Sequence, residues 1–328
     1  MITNLERGDT ATVDSVQIRA VSDDRAGNLR QATALAAALG EPAGLVTLQP
    51  RAPWRWAAPR RLPGSGSAYG HDFAALLRRP PRLAIGCGRQ AALATRLLRA
   101  AGAKAVQILD PRIDPAHWDF VVAPEHDGLT GANVIPLLGS LNPVDDDGLA
   151  RARQSFARLS GLPGPRTALL VGGPTAQAPF GVDRFDALCA QLGAMRDACG
   201  GSLLATTSRR TPRGFADALR RRLADTPGLL WCGPDDGTNP YPGLLAWADR
   251  IICTPDSVNM VSEACATRAP VFVFAARCAT GRLRRFLDAL FARGRIHEAD
   301  AVLAAFACEP LRETARVARE LRERLSWA

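Results

Sequence analysis

The sequence predicts an α/β protein of two lobes, each a parallel sheet covered on both faces by helices. Three observations predict it. Short apolar runs, Gly/Pro/Asp-rich turns and longer amphipathic stretches follow one another along the chain. Strands joined by helical crossovers produce that alternation. The rhythm breaks at Ser160-Gly161-Leu162-Pro163-Gly164-Pro165 and then restarts. Prolines and glycines at that density end a helix and open a linker. Finally, 328 residues is long for one ordinary domain and suits two of roughly 100–200 residues.

In the first half the apolar runs Val16–Val21, Leu45–Leu48, Leu83–Ile85, Val106–Leu109, Phe120–Ala123 and Val134–Leu138 read as strands. Asn28–Leu39, Phe73–Arg78, Gln90–Ala101 and Asp147–Leu159 read as helices; alanine and leucine at i, i+3 and i+4 mark the first and third. In the second half Ala168–Val171, Leu203–Thr206, Leu229–Cys232, Ile251–Cys253 and Val271–Phe274 read as strands. Asp183–Cys199, Pro212–Leu223, Leu244–Asp249 and Val258–Thr267 read as helices. Thr211-Pro212 resembles a helix start, a hydroxyl cap followed by proline at the first position. Leu311–Leu325 is rich in arginine and glutamate and reads as a final helix. The expected division is a first lobe over 1–160, a second over 161–310 and a C-terminal helix over 311–328 that can cross back to the first lobe.

Composition excludes several classes. The chain is 47% hydrophobic and 22% charged, as globular proteins are. No run approaches the roughly 18 apolar residues of a membrane span. Met1–Asp14 carries Glu6, Arg7 and Asp9 and has no apolar signal core. The eight cysteines include no C-x-x-C pair and no histidine in zinc-ligand order, so no metal is expected. Cys189, Cys199, Cys253, Cys265 and Cys308 lie among apolar residues and read as small buried hydrophobes in a reduced, cytoplasmic setting. Lys104 is the only lysine, so the net charge of +9 is almost all arginine. GC-rich codon usage accounts for such a bias as well as any ligand does. The arginines are dispersed and no nucleic-acid-binding motif accompanies them, so nucleic acid is not an expected partner.

Ligands of open α/β sheets bind outside the carboxyl ends of strands, so the residues after each strand are the candidates. The first strand leads into Asp23, Asp24, Arg25, Gly27 and Asn28, the third into Gly86-Cys87-Gly88-Arg89, the fifth into Glu125-His126-Asp127. His126, oriented by a neighbouring carboxylate, or Asp24 could serve as a general base; either could equally be a solvated loop residue. In the second half, Gly172-Gly173 can bring backbone N–H groups close to a phosphate, or simply turn the chain. Thr207, Ser208, Arg209 and Arg210 offer hydroxyls and guanidinium forks suited to a diphosphate, or form a solvated loop and helix cap. Asp256-Ser257 fit either a helix cap or a binding loop. Glu263, two turns into an apolar helix, either faces solvent or accepts hydrogen bonds from sugar hydroxyls. Gly86-x-Gly88 lacks the dinucleotide fingerprint's third glycine, and no nucleophile elbow or Walker loop is present.

Taken in order, Gln107-Ile108-Leu109-Asp110-Pro111-Arg112, Pro124-Glu125-His126-Asp127, Asn133-Val134-Ile135, Gly172-Gly173-Pro174, Thr206–Pro212, Asn239-Pro240-Tyr241 and Thr254–Ala264 resemble the Elm-type mitochondrial-fission family. Plant members act in mitochondrial division, and bacterial members look like glycosyltransferases. The resemblance implies a GT-B-like fold, two Rossmann-like lobes facing a cleft. It implies a nucleoside-diphosphate sugar on the second lobe, with phosphate work on Gly173, Ser208 and Arg209, ribose work on Glu263, and Gly172 and Thr207 in the same nucleotide-sugar site. Asp256, Ser257 and Met260 would line the same pocket. Arg25, Gly27, Asn28, Arg89 and Glu125 would line the acceptor side. No cofactor or metal is implied, because helix dipoles and basic side chains can stabilise the leaving diphosphate. Family members commonly carry histidine where this sequence has Asn28; if that histidine is the family's base, the role passes to Asp24 or His126 or is lost.

The expected function is therefore transfer from a nucleotide-sugar to a bacterial cell-envelope glycan or glycolipid. The alternatives are a non-catalytic scaffold of the fission type and a nucleotide-sugar epimerase of the same fold. Trp54-Arg55-Trp56-Ala57-Ala58-Pro59-Arg60-Arg61 sets two tryptophans among three arginines. Tryptophan suits a bilayer interface and arginine an anionic head group. That points to peripheral attachment at the inner face of the cytoplasmic membrane and a lipid-linked acceptor, against the plainer reading of a loop with partly buried rings.

Overall fold

The computed structural model describes residues 17–300 and 303–326. The polar stretch Met1–Asp14 and the expected strand start at Val16 lie outside the described residues. The chain forms two compact units.

The first unit's sheet contains β1 (Ile18–Ser22), β2 (Ala43–Thr47), β3 (Leu83–Cys87), β4 (Lys104–Ile108), β5 (Phe120–Pro124) and β6 (Val134–Leu137), in the order β2-β1-β3-β4-β5-β6. Pairings from β2 through β5 are parallel. The buried strands are near-continuous apolar runs, as a sheet covered on both faces requires. Helices α1 (Ala26–Ala38), α2 (Trp54–Ala57), α3 (His71–Arg78) and α4 (Arg89–Ala100) connect the strands. Leu93, Leu97 and Leu98 of α4 pack with Val21, Ala84 and Phe73 in one core cluster. Buried Trp118 satisfies its indole N–H by donating to Thr95 Oγ1 at 2.8 Å.

The second unit takes in Pro124–Gly128 and then runs from Leu137, ahead of the Pro/Gly stretch expected to divide the chain. The reason is α5 (Asp146–Ser155): Leu149 and Ala152, with Leu159 beyond it, belong to the core formed by Leu170, Leu204 and Leu244. Arg153 Nε also donates to the Ala246 carbonyl at 2.9 Å. The sheet that follows contains β7 (Arg166–Val171), β8 (Ser202–Thr207), β9 (Gly228–Trp231), β10 (Arg250–Cys253), β11 (Val271–Val273) and β12 (Ile296–Glu298), in the order β12-β11-β10-β7-β8-β9. All its pairings are parallel. This is the doubly wound dinucleotide-fold order, whose switch point lies between the first and fourth strands of the lobe, β7 and β10.

The second unit's remaining helices are α6 (Val182–Cys199), α7 (Arg213–Arg222), α8 (Tyr241–Trp247), α9 (Val258–Cys265) and α10 (Gly281–Ala292). Two elements of this unit were not expected from sequence. One is α10, which buries Leu283, Phe286, Leu287 and Leu290 at helical spacing. The other is β12, three residues of which only Ile296 is buried. The helix start at Thr211-Pro212 is also revised. Pro212 is the residue before α7, and the Thr211 hydroxyl is turned to the Gly172 and Val171 carbonyls, so it caps nothing. The last helix, α11 (Glu313–Leu325), joins the first unit from residue 314. Arg322 donates to the Ala38 and Leu39 carbonyls at 2.7 and 3.3 Å, satisfying orphan groups at the carboxyl end of α1. Cys253 and Cys265 are fully buried, with burial pushing the Cys265 thiol up to about 12, whereas Cys189, Cys199 and Cys308 are only half-buried. Among the described residues no helix is long and apolar enough to cross a membrane, and no group of His, Cys, Asp and Glu could hold a metal ion.

Candidate functional site

At the second sheet's switch point the loops after β7 and β10 are joined through Asp256. The Asp256 side chain is fully buried. Its Oδ1 accepts from Thr254 Oγ1 at 2.6 Å, and its Oδ2 from Gly173 N at 3.0 Å and Arg210 Nη2 at 2.9 Å. Thr254 Oγ1 in turn accepts from Gly172 N at 2.7 Å. The two glycines are needed for close approach: a Cβ on Gly172 would lie 1.9 Å from Asp256 Oδ2, and one on Gly173 2.1 Å from the Arg210 carbonyl oxygen. Three expectations change here. The N–H groups of Gly172 and Gly173 are bonded within the chain and are not aimed at a phosphate. Asp256 is a keystone that holds three loops together, not a side chain lining a pocket. The guanidinium tied into the site is Arg210, while Arg209 is exposed beside it.

The turn between β8 and α7 is equally well knit. Ser208 N donates to the Val171 carbonyl and to Thr211 Oγ1, at 2.8 and 2.9 Å, and Arg210 N donates to Ser208 Oγ at 3.2 Å. Thr207 is buried and its hydroxyl lies 3.4 Å from the Cys232 carbonyl, so it shapes the strand end. What remains open to a ligand is the half-exposed Arg210, the exposed Arg209 and the amino end of α9. Ser257 caps that helix, accepting from Met260 N at 3.4 Å. α9 follows the carboxyl end of β10, and the dipole at a helix amino end favours an anion.

Glu263 does not face solvent: it is 2% exposed, and Tyr241 Oη donates to its Oε2 at 2.5 Å. Tyr241 begins α8, placed by Asn239, whose Oδ1 accepts from Tyr241 N at 3.0 Å. Met260, one turn before Glu263, packs half-buried against the unit's core. Thr254 and Tyr241 thus belong to the site although neither was singled out from sequence for a role, while Arg210, expected beside Arg209 as a diphosphate ligand, and Thr211, expected as a helix cap, tie its loops together. All four lie inside the motifs quoted above, Arg210 and Thr211 in Thr206–Pro212, Tyr241 in Asn239-Pro240-Tyr241 and Thr254 in Thr254–Ala264.

The first unit has its own switch point, between β1 and β3. Asp23 Oδ1 accepts from Asn28 Nδ2 at 3.0 Å and from Arg25 N at 3.3 Å. Cys87 Sγ lies 3.7 Å from Asn28 Oδ1, and Gly88 comes so near Asn28 that a Cβ there would be 2.4 Å from Nδ2. Gly27 accepts a long bond from Gln31 Nε2 at 3.5 Å. The carboxylate organised here is Asp23; Asp24 and the Arg25 side chain are exposed. Arg89 is committed elsewhere, donating to the carbonyls of Arg55, Trp56 and Ala58 at 3.0, 3.2 and 3.2 Å, and does not present its guanidinium to an acceptor.

His126 belongs to the second unit, in the segment Pro124–Gly128, its ring 5.7 Å from that of Phe286 on α10. Neither flanking carboxylate orients it. Glu125 pairs with Arg293 at 3.1 Å and Asp127 with Arg282 at 3.2 Å, while His126 Nδ1 is buried without a hydrogen-bond partner. Burial holds the imidazole below its ordinary pKa, against the smaller opposing pull of Asp127.

Comparison with known proteins fits this architecture. The family described as mitochondrial fission ELM1 matches residues 26–325. The chain belongs to that family. The mitochondrial fission protein ELM1 of Arabidopsis thaliana is 28% identical over 277 residues, 75% of this chain but only 64% of the plant protein's length. An uncharacterized protein of Rickettsia prowazekii is 25% identical over 304 residues, 79% of this chain and 83% of that one. Among solved structures, the UDP-GlcNAc 2-epimerase of Methanocaldococcus jannaschii has a TM-score of 0.58 at 13% identity, covering 93% of this chain and 99% of that one. The UDP-N-acetylglucosamine 2-epimerase of Rickettsia bellii has a TM-score of 0.52 at 14% identity, covering 95% and 96%. At such identities the likeness establishes a shared fold, and the ELM1-family chain is an α/β protein of two Rossmann-like sheets.

Proposed function

We propose that this ELM1-family chain is a glycosyltransferase that binds a nucleoside-diphosphate sugar at the switch point of its second sheet. The observation that carries this reading is the amino end of α9 opening at the carboxyl edge of β10, with the half-exposed Arg210 fixed beside it by the buried Asp256. A helix amino terminus and a guanidinium are complementary to a diphosphate, and the same groups stabilise it as a leaving group without a metal. Glu263 of α9, clamped by Tyr241 of α8, is the carboxylate that accepts from the ribose hydroxyls. The acceptor is a cell-envelope glycan or glycolipid. UDP-sugar binding by structures of the same fold supports a uridine nucleotide as the first to try.

A thermal-shift series with UDP, GDP, dTDP and their sugars tests the proposal. A ligand that binds only the folded state raises the melting temperature. The reading requires a shift with at least one nucleotide, diminished in Arg210→Ala and in Glu263→Gln. If none of these nucleotides shifts the wild-type chain, the reading fails. One observation favours a second reading, a scaffold without catalysis: Asn28 stands beside Asp23 where a base is needed, and an amide cannot take a proton near neutral pH. Nucleotide binding without sugar transfer or epimerisation would select it.

A further inference from the structure

We infer that residues 54–63 of the first unit form a platform that docks on an anionic lipid surface. This inference is independent of the nucleotide site. Three observations carry it. First, the platform is charged with one sign. Between Glu41 and Asp72 there is no acidic residue, but there are four arginines, Arg51, Arg55, Arg60 and Arg61, all exposed. Second, it exposes large apolar side chains. Trp56 is 66% exposed and Leu62 40%, two of only four large hydrophobic residues so exposed among the described residues. Arg55 sits 5.4 Å from the centre of the Trp56 ring, which keeps the charge beside the aromatic face.

Third, the backbone is prepared for a medium poor in water. A loop pressed into the head-group region pays for every carbonyl that loses its hydration. Here five of those carbonyls, of Arg55, Trp56, Ala58, Pro59 and Pro63, already accept from side chains of the protein. Arg89 serves Arg55, Trp56 and Ala58, and Gln90 Nε2 adds a second bond to Arg55 at 2.8 Å. Arg96 donates to Pro59 at 2.6 Å, and the Trp54 indole to Pro63 at 3.0 Å. Trp54 itself packs into the unit's core, so the segment is fastened underneath and presents Trp56 and Leu62 above. Arg61 also bears on Arg96, whose guanidinium burial and that like charge push below its ordinary value. An anionic surface relieves that repulsion. Tryptophan and leucine fit the interfacial zone, and arginines fit phosphate head groups.

The test is co-sedimentation with vesicles of phosphatidylglycerol mixed with phosphatidylcholine, beside vesicles of phosphatidylcholine alone. The wild-type chain should partition onto the mixed vesicles and not onto the neutral ones, and should release in high salt. The variant R55Q/R60Q/R61Q should lose roughly a hundred-fold in partitioning, about five-fold per arginine. Trp56→Ser should weaken binding while leaving the salt dependence intact. Fluorescence of the wild-type chain should shift to the blue on the mixed vesicles, a shift absent in Trp56→Phe. All these side chains are exposed, and an unchanged melting temperature confirms that each variant folds. Equal binding to both vesicle types, or undiminished binding by the triple-arginine variant, overturns the inference. So does binding to an acidic peptide or to single-stranded DNA with none to the mixed vesicles.

Discussion

Tyr241 and Glu263, 22 residues apart in sequence, meet through a 2.5 Å hydrogen bond from phenol to carboxylate inside the second unit. The bond fixes one oxygen of a carboxylate that is 2% exposed. A buried acceptor deprived of a donor costs about 1–3 kcal/mol. Tyr241→Phe should therefore lower the unit's stability by that amount, read by urea unfolding followed through tryptophan fluorescence. It should also weaken nucleotide binding, because the carboxylate loses its orientation. Wild-type stability and affinity in the variant would show that the bond does not position Glu263.

Arg209 and Arg210 are neighbours with opposite fates. Arg210 supplies one of three donors to a fully buried carboxylate, while Arg209 stands in solvent. Removing the Arg210 guanidinium leaves Asp256 with Thr254 and Gly173. Since Arg210 is itself half-exposed, solvent screens part of the loss, and the expected cost is about 1–2 kcal/mol. Arg209→Ala should stay within about 0.5 kcal/mol. Asp256→Ala strips all three donors at once and should cost about 3–5 kcal/mol. Urea midpoints of the three variants give the ranking; equal effects at 209 and 210 would remove Asp256 from its central place.

These pairs also show where reading the sequence succeeds. Strand–helix alternation located all but β12 of the twelve strands, because a strand buried on both faces must be a short apolar run. β12 escaped because His297 and Glu298, two of its three residues, face solvent. The α10 pattern Leu283, Phe286, Leu287, Leu290 was present but hidden among arginines. The loops after β7, β8 and β10 were legible as a site because polar and glycine residues concentrate there. Roles within them were not. Whether a glycine N–H meets a ligand or Asp256, and which of two adjacent arginines turns inward, depends on contacts between residues 46 and 83 positions apart.

Asn28 Nδ2 donates to Asp23 Oδ1 at 3.0 Å, which is the contact an imidazole N–H would make from the same position. Asn28→His should thus create a histidine paired with a carboxylate. An opposite charge at that distance favours the protonated form, so the introduced ring should titrate above the ordinary histidine value. NMR titration of its ring protons measures this, and Asp23→Asn in the same background should bring the value back down. If the chain transfers sugar, the substitution should also raise the rate at neutral pH. A ring that titrates below the ordinary value would mean that crowding by Gly88 turns it away from Asp23.

His126 sets a pH dependence whose sign follows from its surroundings. Its ring is half-buried against Phe286, and burial depresses its pKa below the usual 6.5 more than Asp127 raises it. Above 6.5 both folded and unfolded chains carry a neutral ring, and it adds no pH dependence. As pH falls through 6.5 the unfolded chain takes up a proton first, so folding stability declines from there until the folded ring also titrates. Arg285, whose side chain donates to the His126 carbonyl at 2.9 and 3.1 Å, opposes protonation further. His117 is depressed as well, so the wild-type decline contains two contributions. His126→Gln should remove one of them. Between about pH 8 and about pH 5, the variant's unfolding free energy should fall less than that of the wild-type chain. Parallel curves for the two proteins would mean that His126 titrates alike in the folded and unfolded states.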